Sequence, residues 1–95
     1  MTQKLRSRVE SYIAKTRRVL ERLRLKKPFR SISDNLIDEL IDHAKRYVED
    51  AEFYLKKGDL ETALASISYC EGLLDALKLL DMAEFEWPSN IVSGS

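Results

Sequence analysis

The segment LKKGDLETAL, residues 55–64, decides the fold of this chain. Two lysines in a last helical turn complement the negative end of the helix dipole, and Gly58 suits the left-handed position that ends a helix. Asp59 is a favoured N-cap for a following helix. A connection this short forces the flanking helices to be antiparallel neighbours. The segment has no second copy at a spacing of about 34 residues, so it does not predict a tetratricopeptide array, which needs about three stacked copies.

Apolar spacing predicts one long helix on each side of this turn and a third before them. The central helix, residues 34–57, has apolar residues at alternating steps of four and three: Ile37, Ile41, Ala44, Val48, Ala51 and Leu55. We expect Ser33 or Asp34 to cap it, with Ile32 as a hydrophobic staple. Similar stripes predict helices over about residues 2–25 and 60–81, and no segment alternates with period two. The fold class is therefore all-α, a three-helix antiparallel up-and-down bundle. It forms one domain over residues 1–87, followed by a flexible tail at 88–95.

The zero net charge of the chain hides two oppositely charged parts. Residues 1–30 hold eleven Lys and Arg against two Glu, and residues 31–95 hold five Lys and Arg against fourteen Asp and Glu. Such an asymmetry indicates either a basic face for an acidic partner or complementarity between the first helix and its own neighbours.

Helical angles divide the basic residues of the first helix into two sets. The flank arginines, Arg6, Arg17 and Arg24, point toward the other helices, where we expect acidic partners. The outer set is a candidate partner surface, and it continues past the helix end: Lys15, Arg18, Arg22, Lys26 and Lys27. A solvated basic face is the simplest interpretation. An acidic protein or a nucleic acid backbone, bound in a salt-dependent manner, is the functional alternative.

Three polar residues of the third helix lie in or beside its apolar arc: Glu71, Asp75 and Lys78. Two carboxylates one turn apart can divide acid and base roles. The favoured interpretation is a buried polar cluster in which Glu71 pairs with Lys78 or with a flank arginine. The chain has one His and lacks a nucleophile arrangement, so an enzyme is disfavoured.

The third helix is apolar over more than the face that a monomeric bundle needs. Its second apolar face is a candidate for self-association: Tyr69, Leu73, Ala76 and Leu80. The alternative is that Phe85 and Trp87 fold back over Leu73 and Leu80. Gly72, in mid-helix, is costly relative to Ala and indicates the close approach of another helix, of the tail or of a ligand.

The pattern Tyr69-x-x-Gly72-x-Leu74-Asp75-Ala76, after the Gly58-Asp59 turn, resembles an archaeal family of short proteins known as domain of unknown function, family 357. The resemblance covers about residues 5–85. It implies a compact three-helix bundle in an archaeal cytoplasm and no assigned activity.

Other classes of protein find little support. No apolar run reaches the 18–20 residues, roughly, that span a bilayer, and the basic N-terminus lacks the apolar core of a secretory signal. A metal patch at Asp38, Glu39, Asp42 and His43 is disfavoured against a solvated helix face. Cys70 is expected to be a buried small hydrophobe.

We therefore expect a cytoplasmic interaction module without catalytic residues, metal or cofactor, which binds a protein partner or itself. The alternative is a nucleic-acid-associated accessory protein.

Overall fold

Three helices pack side by side in the computed structural model, which describes residues 2–28 and 33–88. α1 spans Thr2–Arg22, α2 spans Asp34–Lys57 and α3 spans Leu60–Leu79; two short strands are β1 (Arg24–Leu25) and β2 (Ala83–Glu84). α2 and α3 form the most extensive helix pair, and α1 packs against both. The predicted all-α three-helix up-and-down bundle is confirmed.

Both ends of α2 follow the predicted capping chemistry. The Ser33 side chain accepts hydrogen bonds from the backbone N–H groups of Asn35 and Leu36. Gly58 has φ of 84°, and the N–H of Asp59 bonds the carbonyl of Tyr54 at 2.9 Å, which together form a Schellman ending. The Asp59 carboxylate then caps α3 at the N–H of Thr62. The expected staple residue, Ile32, lies outside the described residues.

α3 ends at Leu79, two residues before its predicted end, in a second Schellman turn. The N–H of Met82 bonds the carbonyl of Leu77 at 2.8 Å, and Asp81 occupies the left-handed position with φ of 60°. Glycine normally holds this position because any side chain is strained there. A sequence without glycine at this position therefore does not predict the turn at Asp81.

The predicted end of α1 at residue 25 is wrong, because the chain leaves the helix at Arg22 and forms a strand. β1 pairs antiparallel with β2, with Arg24 opposite Glu84 and Leu25 opposite Ala83. A further bond of 2.9 Å joins the N–H of Lys26 to the carbonyl of Met82. This bridge joins the chain after α1 to the chain after α3 at one end of the bundle.

The core lies along one line between the three helices. Its largest fully buried side chains, each less than 2% exposed, include Ile67, Leu74, Leu77, Val9 and Val48. Cys70 is buried as predicted; its thiol donates to the carbonyl of Ala44 at 3.2 Å, and burial raises its pKa to about 12. A thiol in this state is a packing residue rather than a nucleophile.

Candidate functional site

Lys15 is not the free outer cation that its helical angle predicts. Its ammonium lies 3.3 Å from Oε2 of Glu71, and the two side chains are 14% and 21% exposed. The ammonium also lies 4.8 Å from the ring centroid of Tyr12 and 5.2 Å from that of Trp87. Lys15 therefore joins α1 to α3 and to the chain after β2.

Two further members of the predicted partner surface are paired within the chain. Lys26 binds Asp81 at 2.6 Å, and Lys27 binds Asp38 at 2.7 Å. Each lysine donates a hydrogen bond to its carboxylate partner, and this bond raises the pKa of the lysine. These lysines hold the segment after α1 against α3 and α2.

Arg18 and Arg22 are exposed, and no ion pair involves either one within residues 2–28 and 33–88. They lie one turn apart on α1, on the rim of a groove of about 770 Å³. The opposite wall is the chain from Ala83 to Pro88, and the floor includes Val19 and the Phe85 ring.

Each flank arginine has a partner within the chain, but only Arg17 binds a carboxylate of another helix. Arg17 makes a bidentate ion pair with Glu52 of α2. This hydrogen bonding lowers the pKa of Glu52 and raises that of Arg17. Arg24 binds Glu84 of β2 at 2.7 Å, and Arg6 donates to the backbone carbonyl of Leu55 at 3.3 Å. Part of the charge difference between residues 1–30 and 31–95 therefore stabilises the fold itself.

Glu71, Asp75 and Lys78 do not form the predicted buried cluster: Asp75 is exposed, Glu71 and Lys78 are half-buried, and each has its partner elsewhere in the chain. Glu71 binds Lys15 rather than Lys78, whose ammonium lies 3.7 Å from Glu86 and 5.2 Å from the centroid of the Phe85 ring. The Glu71–Lys78 pairing is therefore wrong. Asp75 accepts a hydrogen bond of 2.7 Å from the indole of Trp87. Asp75 and Lys78 thus contact the chain after β2, whereas Glu71 is joined to Lys15 of α1.

The chain after β2 lies on the side of α3 that faces α1. Trp87 contacts Asp75 and Lys15, and Phe85 lies against Lys78. On a helix, Leu80 points about 200° away from Lys78. Leu80 is 65% exposed, so the alternative in which the tail covers Leu80 is wrong.

The second apolar face of α3 is therefore open along most of its length. We define the outer face of α3 by exposed or half-exposed residues: Tyr69, Gly72, Leu73, Ala76, Leu79 and Leu80. Tyr69 is 60% exposed and stacks on Tyr47 of α2 at 4.7 Å between centroids, and Leu79 is 86% exposed. Leu36, 56% exposed in the first turn of α2, lies at the same end of the bundle as Leu80, because α2 and α3 are antiparallel.

Gly72 lies at the centre of this face and has open space in front of it. A Cβ built on Gly72 meets no heavy atom within 4 Å. Within residues 2–28 and 33–88, neither another helix nor the chain after β2 approaches Gly72 in the way expected. The cost of a glycine in mid-helix is not offset by packing within the described parts of the chain.

No group of three or more His, Cys, Asp or Glu side chains is placed to hold a metal ion within the two described ranges. No helix found there is both long and apolar enough to cross a membrane. His43 accepts or donates only at 3.4 Å to Arg46, on the exposed side of α2.

The architecture defines a small all-α bundle stabilised by a strand bridge and by ion pairs between helices and with the segments that follow α1 and α3. A family model for a protein of unknown function (DUF357) matches residues 11–83. The chain belongs to this family, which confirms the resemblance carried by the Tyr69–Ala76 pattern. No curated protein and no solved structure matches the chain.

Proposed function

We propose that this protein is a non-enzymatic interaction module that associates with a second copy of itself through the outer face of α3. The single observation that carries the proposal is the exposure of that face. Tyr69, Leu79 and Leu80 are each at least 60% exposed on one helix. Clustered exposed apolar side chains of this kind mark interaction sites in soluble proteins.

A second copy fits the face because its residues complement one another about Gly72. In an antiparallel pair with a two-fold axis at Gly72, each residue before it meets the residue equally far after it. Ala65 then faces Leu79, a small side chain against a larger one, and Ser68 faces Ala76, two small side chains that allow close approach. Gly72 meets Gly72, where the open space allows two helix backbones to approach closely.

The charges of α3 favour the same occupant. Glu71 and Lys78 are directed toward α1 and the chain after β2, where they are paired. Asp75 lies at the edge of this face, where its carboxylate accepts a hydrogen bond from the Trp87 indole. The residues along the line from Ala65 through Gly72 to Leu79, namely Ala65, Ser68, Gly72, Ala76 and Leu79, are uncharged. A strongly charged partner gains little from this line, whereas an identical face buries apolar area along it.

Light scattering at micromolar concentration tests the proposal with two matched variants. Tyr69→Glu places a charge on the outer face of α3, and Phe53→Glu places one at a comparably exposed aromatic of α2. We expect a wild-type dimer, a monomeric Tyr69→Glu variant with unchanged helix content, and a dimeric Phe53→Glu variant. A monomeric wild type overturns the proposal, as does a dimer that only Phe53→Glu dissociates.

Nucleic acid binding by the basic surface is a second candidate, supported by the two unpaired side chains Arg18 and Arg22. Lys15, Lys26 and Lys27 bind carboxylates of the chain itself, so few cations of this surface are left for phosphates. Titration of a labelled duplex at low and moderate salt tests it, because phosphate contacts weaken steeply with salt. The archaeal origin and cytoplasmic location implied by the family resemblance stay predictions.

A further inference from the structure

A second surface, independent of the outer face of α3, has the features of a ligand site. The groove between α1 and the chain after β2 has two arginines on one rim and apolar groups below them: Val19, Ala83, Phe85, Trp87 and Pro88. We propose that this groove binds an acidic peptide segment, whose carboxylates pair with Arg18 and Arg22 while an adjacent aliphatic side chain packs on the apolar floor.

Charge complementarity identifies the ligand. The other cations that line the groove already have carboxylate partners, because Arg24 binds Glu84 and Lys78 binds Glu86. Asp81 on the same rim binds Lys26. Arg18 and Arg22 are the lining cations left without such a partner in the described ranges. Guanidinium groups bind carboxylates in a bidentate manner, so two of them one turn apart suit two acidic side chains about 6 Å apart.

The groove suits a peptide better than a nucleic acid strand. Asp81, Glu84 and Glu86 also line it, so the groove accepts anionic groups only next to Arg18 and Arg22 and disfavours a continuous run of phosphates along its length. Stacking of bases also needs an open aromatic ring. The Trp87 ring has the Lys15 ammonium at 5.2 Å and the Phe85 ring edge-on at 5.3 Å. A short ligand with localised charge and an aliphatic group avoids both obstacles.

Trp87 makes the proposal directly measurable, because it lines the groove and is the only tryptophan in the chain. The experiment is a fluorescence titration of the full chain with a blocked decapeptide that carries two Glu, separated by one residue, and an adjacent Leu, with Gly and Ser at the other positions. The matched ligand control is the same peptide with Gln in place of Glu. The matched protein control is Arg8→Gln, which removes an exposed cation of α1 outside the groove.

We expect the Glu–Leu peptide to change Trp87 emission saturably and to bind more weakly as salt increases. The double variant Arg18→Gln, Arg22→Gln should lose at least about tenfold in affinity, whereas Arg8→Gln should stay within about twofold. Circular dichroism of each variant establishes that the bundle is folded.

Three results overturn the proposal. Equal binding of the Gln–Leu peptide shows that the arginines recognise no carboxylate. Equal loss of affinity in Arg8→Gln shows that net charge, rather than the groove, is responsible. Tighter binding of a ten-nucleotide single strand of uridine, lost in the double variant, assigns Arg18 and Arg22 to nucleic acid. None of these results depends on whether the protein forms a dimer.

Discussion

The indole Nε1 of Trp87 donates a hydrogen bond of 2.7 Å to Oδ1 of Asp75, which fixes the chain after β2 to the C-terminal part of α3. The bond places the Trp87 ring beside Lys15, whose ammonium in turn binds Glu71. The Trp87–Asp75 hydrogen bond thus holds the Trp87 ring both next to Lys15 and in the wall of the groove that Arg18 and Arg22 line.

This relationship predicts a measurable coupling between Trp87 and Asp75. Trp87→Phe keeps an aromatic ring but removes the donor, and Asp75→Ala removes the acceptor. We expect a double-mutant cycle in urea denaturation to give a coupling free energy of about 0.5–1.5 kcal/mol, the range for one hydrogen bond. Strictly additive effects would show that the two groups do not interact in solution.

The two kinds of basic residue on α1 should respond differently to charge reversal. Lys15→Glu brings a second carboxylate against Glu71 in a half-buried position, and we expect a loss of about 1–3 kcal/mol in the free energy of unfolding. The double variant Arg18→Glu, Arg22→Glu changes exposed side chains and should stay within about 0.5 kcal/mol of wild type. Equal losses in urea denaturation would contradict this division.

Leu74 and Leu79 of α3 form a matched pair of buried and exposed leucines. Leu74 is 0% exposed and Leu79 is 86% exposed. Leu74→Ala should lower the free energy of unfolding by about 2–5 kcal/mol because it leaves a cavity. Leu79→Ala, measured at a concentration where the protein is monomeric, should change it by less than about 0.5 kcal/mol. A large effect of Leu79→Ala under those conditions would place Leu79 in the core.

Gly72→Ala should separate monomer stability from self-association. The added methyl group meets no atom within 4 Å and removes a glycine from mid-helix. We therefore expect the monomer to gain about 0.5–1 kcal/mol in thermal or urea unfolding. The dimer should dissociate more readily in light scattering, because two methyl groups meet where the helices cross. A stabilised monomer with an unchanged dimer would exclude Gly72 from the interface.

Stability should depend on the ionisation of Glu52. Arg17 lowers the pKa of Glu52 in the folded chain below its ordinary value of 4.5. The ion pair therefore contributes stability above that value, and the contribution is lost as the pH falls through the lowered folded pKa. Both side chains are partly exposed, so Glu52→Gln should cost at most about 1 kcal/mol near pH 7. The difference from wild type should shrink by about pH 3, and an equal difference at both pH values would argue against the pair.

Local patterns predicted α2 closely, because its ends depend on residues within a few positions of Ser33 and Gly58. The sequence has no comparable local signal for the pairing of β1 with β2, because two-residue strands show no periodicity and the paired residues lie about 60 positions apart. The helical angle of Lys15, taken alone, predicts a side chain that points to solvent. A lysine side chain is long enough to reach Glu71 from the edge of the helix, so the angle of its Cα did not decide its partner. Likewise, the sequence does not distinguish Asp81 from an ordinary surface acid, although Asp81 occupies the left-handed position of a turn.

The strand bridge changes how the bundle comes apart. Helices joined only by successive turns form an open series, from which the last member can detach while the others stay packed. Here the bridge between Arg24 and Glu84 closes the part of the chain that holds α2 and α3, so α3 cannot leave without breaking the closure as well, whereas α1 precedes it. Amide hydrogen exchange at the bridge should therefore report on the opening of the α2–α3 unit rather than on fraying at an end. A pair of two-residue strands thus makes α2 and α3 a single closed unit.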